Sequence, residues 1–241
     1  MPGRGVARRE WWLVGRSLRA RGAPAGERVG KARRVRLAVE HVLLFYGAVA
    51  AYTVAGPPGG PIPPLVLLGL LCWWWLRRQP GFDRADLGRP AALRAALPGI
   101  VGPWAGAAVT AVAGIAVLAP ERLFALPREA PLIWVAVAVL YPLVSVYPQE
   151  LLFRAFVFHR YAPLFGAGWG LLVASAAAFG FAHVIFGSVW SVLLTLLGGA
   201  LFAWRYRRTR SLLAASVEHA LYGVLAFTVG LGDLFYHGAT A

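Results

Sequence analysis

The sequence predicts an all-α fold, a polytopic transmembrane helix bundle of about seven spans with room for an eighth. Three observations predict it. Of 241 residues, 59% are hydrophobic and 14% charged, against about a quarter charged in a soluble domain. Apolar runs of helical length recur from residue 38 to residue 231. The net charge of +14 gathers between those runs instead of spreading over a water-facing surface. This composition excludes a disordered chain, a disulfide scaffold and an ordinary soluble enzyme. Cys72 is the one cysteine, so no internal disulfide can form.

Residues 1–37 read as a basic cytoplasmic arm. The first 36 hold eleven of the 24 Lys and Arg residues, opposed only by Glu10 and Glu27. Trp11, Trp12, Leu13, Val14 and Leu18 suggest a short interfacial helix with Arg16 and Arg19 reaching to water. The arm has no short apolar core with a cleavage site, so it is expected to stay attached. Residues 38–130 then hold the first three spans, at roughly 38–56, 61–76 and 99–119. Pro57, Pro58, Gly59, Gly60 and Pro61 make a tight turn between the first two. Residues 131–231 hold four more spans, near 131–152, 166–186, 189–204 and 211–231. Residues 232–241 are a short tail. Gly198, Gly199 and the small residues from Ala174 to Ala178 suit close helix packing.

The loops orient the bundle. With the N-terminus in the cytoplasm, 22 of the 24 basic residues fall in segments on that side. Arg122 and Arg128 are the exceptions, and Glu121 and Glu129 match them. Trp73, Trp74, Trp75 and Trp204 border the basic loops like an aromatic belt. The charge is therefore an orientation signal for an integral, multi-pass protein of the plasma or inner membrane. Nucleic acid is not expected as a partner; the lipid bilayer is. Oligomeric state is not legible.

Function is carried by the few ionisable residues inside spans, where polarity is costly. These are Glu150, Arg154, His183, Glu218 and His219, with Gln149 and Tyr222 as uncharged neighbours. Glu150 and Arg154 are four apart and share a helix face. They read either as a structural ion pair or as a carboxylate held ionised for water activation. His183 and His219 each read as a packing histidine or as a site residue. Glu218 reads as neutralising an arginine such as Arg154, or as orienting a histidine. Glu40 and His41 lie at the start of the first span and read as interfacial. One carboxylate, two histidines and an arginine on three spans can perform general-base hydrolysis or bind a metal. Neither the H-E-x-x-H zinc-protease motif nor the G-x-S-x-G serine motif is present.

Three strings, in order, resemble the CPBP family of intramembrane proteases, which includes the Rce1-type CAAX prenyl proteases and the Abi bacteriocin-immunity proteins. They are Gln149-Glu150-Leu151-Leu152-Phe153-Arg154, Phe179-Gly180-Phe181-Ala182-His183 and His219-Ala220-Leu221-Tyr222-Gly223. The resemblance covers about 141–230. It implies a peptidase that cleaves a membrane-anchored peptide or protein, with Glu150 as base or electrostatic anchor held by Arg154. His183 would share water activation, and His219 would stabilise the oxyanion. Gln149 and Glu218 would support the site. Two positions depart from the pattern. Gln149 replaces the first carboxylate of a pair, and an amide cannot accept a proton at neutral pH. Gly223 stands where the family has Asn or a similar residue, which leaves Tyr222 or His219 alone to face an oxyanion. The alternative reading is therefore a catalytically silent member acting as a membrane scaffold, immunity or regulatory protein. A transporter is disfavoured by the apolar first three spans. No cofactor is certain from the residues, and zinc on Glu150, His183 and His219 is a possibility that residue types leave open. Topology poses one problem, because Glu150 falls near the cytoplasmic end of its span and His183 near the outward end of the next. Either the fourth helix runs on to about Arg160, or the fifth bends around Gly166, Gly168 and Gly170.

Overall fold

The computed structural model describes residues 30–235. The chain divides into two compact units, residues 1–36 and 37–241. Of the first, residues 31–36 are helical; the interfacial helix expected around Trp11 lies outside the described residues, as does the end of the tail.

All regular structure among the described residues is helical. Among the described residues six helices are long and apolar enough to cross a membrane: α1 (Lys31–Ala55), α3 (Pro90–Leu118), α4 (Pro131–Arg160), α5 (Trp169–Phe186), α6 (Val189–Thr209) and α7 (Leu212–Val229). The run expected at 61–76 forms α2 (Ile62–Arg78), which at 17 residues is the shortest of the seven long helices. Large apolar side chains such as Val54, Leu118, Leu132 and Leu197 stay exposed, as lipid-facing positions do. The chain is an integral membrane protein.

Without a hydrophobic drive between helices in lipid, close approach and polar contacts hold such a bundle. The α5–α6 pair shows the first. A Cβ on Gly180 would sit 3.1 Å from the Leu196 Cα, and one on Gly199 3.3 Å from the Ala176 Cα. Gly198 instead faces the Phe202 ring. On the other side, Gly69 of α2 lets Pro148 of α4 approach so closely that a Cβ would lie 2.7 Å from the proline's.

Polar contacts tie the elements that carry the loops. Arg160, at the end of α4, donates from Nε and Nη2 to the two oxygens of Glu40 on α1, at 2.8 and 2.6 Å. Tyr161 adds a third bond to Glu40, at 3.1 Å. Buried Asp86, in the α2–α3 loop, pairs with Arg89 and with Arg210 at the α6–α7 turn. Ser211 caps α7 by accepting from the Ala214 N–H at 3.1 Å. At the loop edge, the guanidinium of Arg77 lies over Trp73 and that of Arg78 over Trp74, at 4.6 and 4.1 Å. Each pair joins an aromatic to a cation at the helix end where the belt was expected.

Proline chemistry shapes the interior. Pro103 in α3 has no N–H, so the carbonyl four residues earlier, on Gly99, loses its helical donor. Arg205 of α6 supplies one, donating from Nη2 to the Gly99 oxygen at 2.8 Å. In α4 the helix widens to π geometry at Pro142–Val146 and again at Leu151–Phe156. A π turn accommodates one extra residue, and the first starts on a proline that cannot continue α hydrogen bonding. Thirty residues of α4 span about 45 Å. Of the two courses expected of these helices, the fourth takes the first: it runs on to Arg160.

Candidate active site

The second π turn of α4 directly follows Glu150, and Arg154 lies within it. Both side chains are fully buried. The Arg154 Nε lies 3.2 Å from the Glu150 Oε2. Its Nη1 donates to the Ser175 Oγ of α5 at 2.8 Å, and Ser175 in turn donates to the Phe153 carbonyl at 2.7 Å. The guanidinium lies over the Phe179 ring at 4.8 Å and nearer its edge of reach over Phe202 at 5.9 Å. A buried arginine thus has a carboxylate, a hydroxyl and two aromatic faces, which offset its loss of water.

The other Glu150 oxygen, Oε1, is 2.9 Å from the Nδ1 of His219. An ionised carboxylate only accepts, so His219 donates from Nδ1. In the neutral ring Nε2 is then an acceptor, and the Tyr141 hydroxyl lies 3.3 Å from it. The imidazole is stacked on Phe202, with centroids 4.6 Å apart and planes 14° from parallel, and Phe179 meets it edge-on at 5.3 Å. The ring is fixed on both faces and at both nitrogens.

His183 closes the last α-helical turn of α5, where the chain tightens to 3-10 geometry. Its Nδ1 is 2.8 Å from the Phe179 carbonyl. A carbonyl only accepts, so Nδ1 carries the proton and Nε2 keeps a free lone pair.

The two histidines meet at a cavity of about 560 Å³ between α3, α4, α5, α6 and α7. Gln149, His183, His219 and Tyr222 all line it, and so do Tyr141 and Ser145. A second cavity of about 610 Å³, walled by apolar residues of α1, α2 and α4, shares Tyr141, Ser145, Gln149 and His183 with the first. Gln149 donates from Nε2 to the Ser145 Oγ at 2.7 Å, which leaves its carbonyl oxygen free to accept.

The remaining expected residues are placed differently. Glu150 and Arg154 do not line either cavity; they stand behind His219. Glu218 pairs not with Arg154 but with Arg205, which donates from Nε and Nη2 to its two oxygens, each at 2.8 Å. Adjacent helical residues point about 100° apart, so Glu218 faces α6 while His219 faces α4. Among the described residues no group of three His, Cys, Asp or Glu side chains is placed to hold a metal ion.

Two positions change meaning. At Gly223, a Cβ would collide with the Cε1 and Oη atoms of Tyr141: the missing side chain makes room for a phenol. Tyr222 lines the cavity, but the hydroxyl bonded to His219 belongs to Tyr141. Tyr141, Arg205, Ser145 and Phe202 were not singled out from the sequence. Only the Tyr141-Pro142 pair, which precedes a π turn, hints at one of them.

Residues 129–225 match the family model described as Type II CAAX prenyl endopeptidase Rce1-like. No curated protein and no solved structure matches the chain.

Proposed function

From an Rce1-like domain at residues 129–225, in a family of proteases, we propose that the chain is an intramembrane endopeptidase of the CAAX-protease type. Its substrate is a membrane-associated peptide or protein, and its basic N-terminal arm lies in the cytoplasm. The observation that carries the reading is the pair of histidines on one cavity, each with Nδ1 tied back to the protein and Nε2 turned away from that tie.

In this reading His183 is the general base. Its Nε2 takes a proton from a water that the Gln149 carbonyl oxygen orients. The hydroxide adds to the peptide carbonyl carbon and forms a tetrahedral intermediate. His219, held by the Glu150 anchor, belongs to the part of the site that faces the oxyanion. The C–N bond then breaks, and the proton on His183 passes to the leaving amine. Glu150 acts through His219 and not on water, and Arg154 is its counter-ion. This division of labour accounts for Gln149, because a base on α5 removes the need for a carboxylate at that position.

The test is cleavage of a membrane-tethered peptide by the purified full chain in bilayers, with His183→Ala and His219→Ala. Loss in both supports the hydrolase, and unchanged cleavage in both overturns it. A non-catalytic scaffold or regulator is favoured instead if wild-type protein cleaves nothing and a partner binds regardless of both substitutions. Labelling of single introduced cysteines from each side of the membrane tests the orientation.

A further inference from the structure

Building on the hydrolase reading, we propose that Tyr141 is a catalytic residue whose hydroxyl donates to the oxyanion of the tetrahedral intermediate. The argument starts from proton positions. His219 donates its Nδ1–H in a hydrogen bond to Glu150 across 2.9 Å. The neutral ring then has only a lone pair at Nε2, and a lone pair repels an oxyanion. A donor must come from elsewhere in the cavity wall. The Tyr141 hydroxyl is bonded to that same lone pair, at 3.3 Å. The bond is long for an O–H donor, so little is lost when the hydroxyl turns to a better acceptor. His219 thus becomes a positioning residue that keeps the phenol aimed into the cavity.

Three further observations fit. Tyr141 lines both cavities, where they share a wall with His183 and Gln149. Its ring is seated edge-on against Phe227 at 5.6 Å, so its direction is fixed by packing. The absence of a Cβ at Gly223 is what admits the ring, since any side chain there would overlap it. The glycine and the tyrosine are therefore two halves of one arrangement.

The test uses the full chain in bilayers, with a membrane-tethered fluorogenic peptide and its phosphonate analogue, which mimics the tetrahedral oxyanion. Tyr141→Phe keeps the ring and removes the hydroxyl. It should lower kcat by about 10²–10³-fold with KM nearly unchanged, and weaken the phosphonate by a similar factor. Gly223→Asn alone should be inactive, because its side chain meets the Tyr141 ring. Tyr141→Ala with Gly223→Asn should regain at least about tenfold over either single variant, because the vacated space then holds an amide donor. Tyr141→Ala with Gly223→Leu, which fills the same space without a donor, should show no such rescue, and equal rescue by Leu would make the tyrosine merely structural. If wild type cleaves, His183→Ala is inactive and Tyr141→Phe keeps full kcat, the Tyr141 assignment falls and the hydrolase stands. If wild type neither cleaves the peptide nor binds the phosphonate, both fall together.

Discussion

His219 on α7 donates from Nδ1 to the Oε1 of Glu150 on α4 at 2.9 Å, while Arg154 holds the other oxygen at 3.2 Å. The carboxylate therefore serves two cationic or donor partners and no solvent. Replacing it with an amide tests both links. Glu150→Gln can donate to Nδ1 and so drives the imidazole to its other tautomer. Cleavage should fall by about 10²–10³-fold, the scale of losing one oxyanion donor, because the Tyr141 hydroxyl is no longer held by an Nε2 lone pair. Thermal stability should fall too, since Arg154 is left buried without a counter-ion, a loss of about 3–5 kcal/mol for a broken buried pair. Kinetics and unfolding of the same purified variant check both.

Arg205 separates stability from chemistry. It neutralises Glu218, adjacent in sequence to His219, and satisfies the Gly99 carbonyl that Pro103 leaves open. It lines neither cavity. Arg205→Ala strands both acceptors and should destabilise by about 3–5 kcal/mol. The fraction that remains folded should cleave within about threefold of wild type, a difference below 1 kcal/mol in the barrier. A drop in midpoint temperature without a matching drop in specific activity is the expected result.

Gln149 lines the cavity next to His183 but cannot accept a proton. Gln149→Glu places a carboxylate there without changing size. It should raise kcat at least about tenfold by adding a second base. It should also give the pH–rate profile a new acidic limb, because the added base works only when ionised. A flat response across pH would assign Gln149 to water orientation alone.

Gly180 and Gly102 make a matched pair of glycines in spans. A Cβ at Gly180 meets the backbone of Leu196 at 3.1 Å, whereas one at Gly102 meets nothing within 4 Å. Gly180→Val should push α5 from α6 and cost about 1–3 kcal/mol, the usual range for overpacking. Gly102→Ala should leave the unfolding temperature unchanged or slightly raised, since alanine favours the helix. Parallel unfolding of the two variants in detergent measures the contrast.

Hydropathy located the runs because lipid-facing residues need no partner, and composition alone marks them. Glu150, Arg154, His183 and His219 stood out for the converse reason: each is an ionisable group where the surroundings are apolar. Tyr141 did not stand out, because an apolar ring with one hydroxyl suits a span on packing grounds alone. Arg205 was counted with the loop cations, since four lie within six residues of chain; only its geometry separates it from Arg207, Arg208 and Arg210. Gly223 looks in the sequence like a missing donor, because a sequence does not show what fills the space a glycine leaves. Widened turns are invisible for a related reason. An extra residue in a uniformly apolar run shifts the periodicity without changing the composition.

The first of those turns, at Pro142–Val146, makes the site depend on a tally of residues as well as on their identities. An α-helix advances about 100° per residue, and a π turn absorbs one residue of surplus. Removing a single residue there would let the turn relax to α geometry with both halves still facing as before. Removing one from the α-helical stretch Tyr147–Glu150, which holds no surplus, would re-index the front half of α4 against its back half, even with Tyr141, Glu150 and His219 left intact. Tyr141 would swing by about that angle away from His219, and Glu150 would not. Length variation inside this helix, unlike length variation in a loop, is thus a mutation of the active site in which no active-site residue has changed.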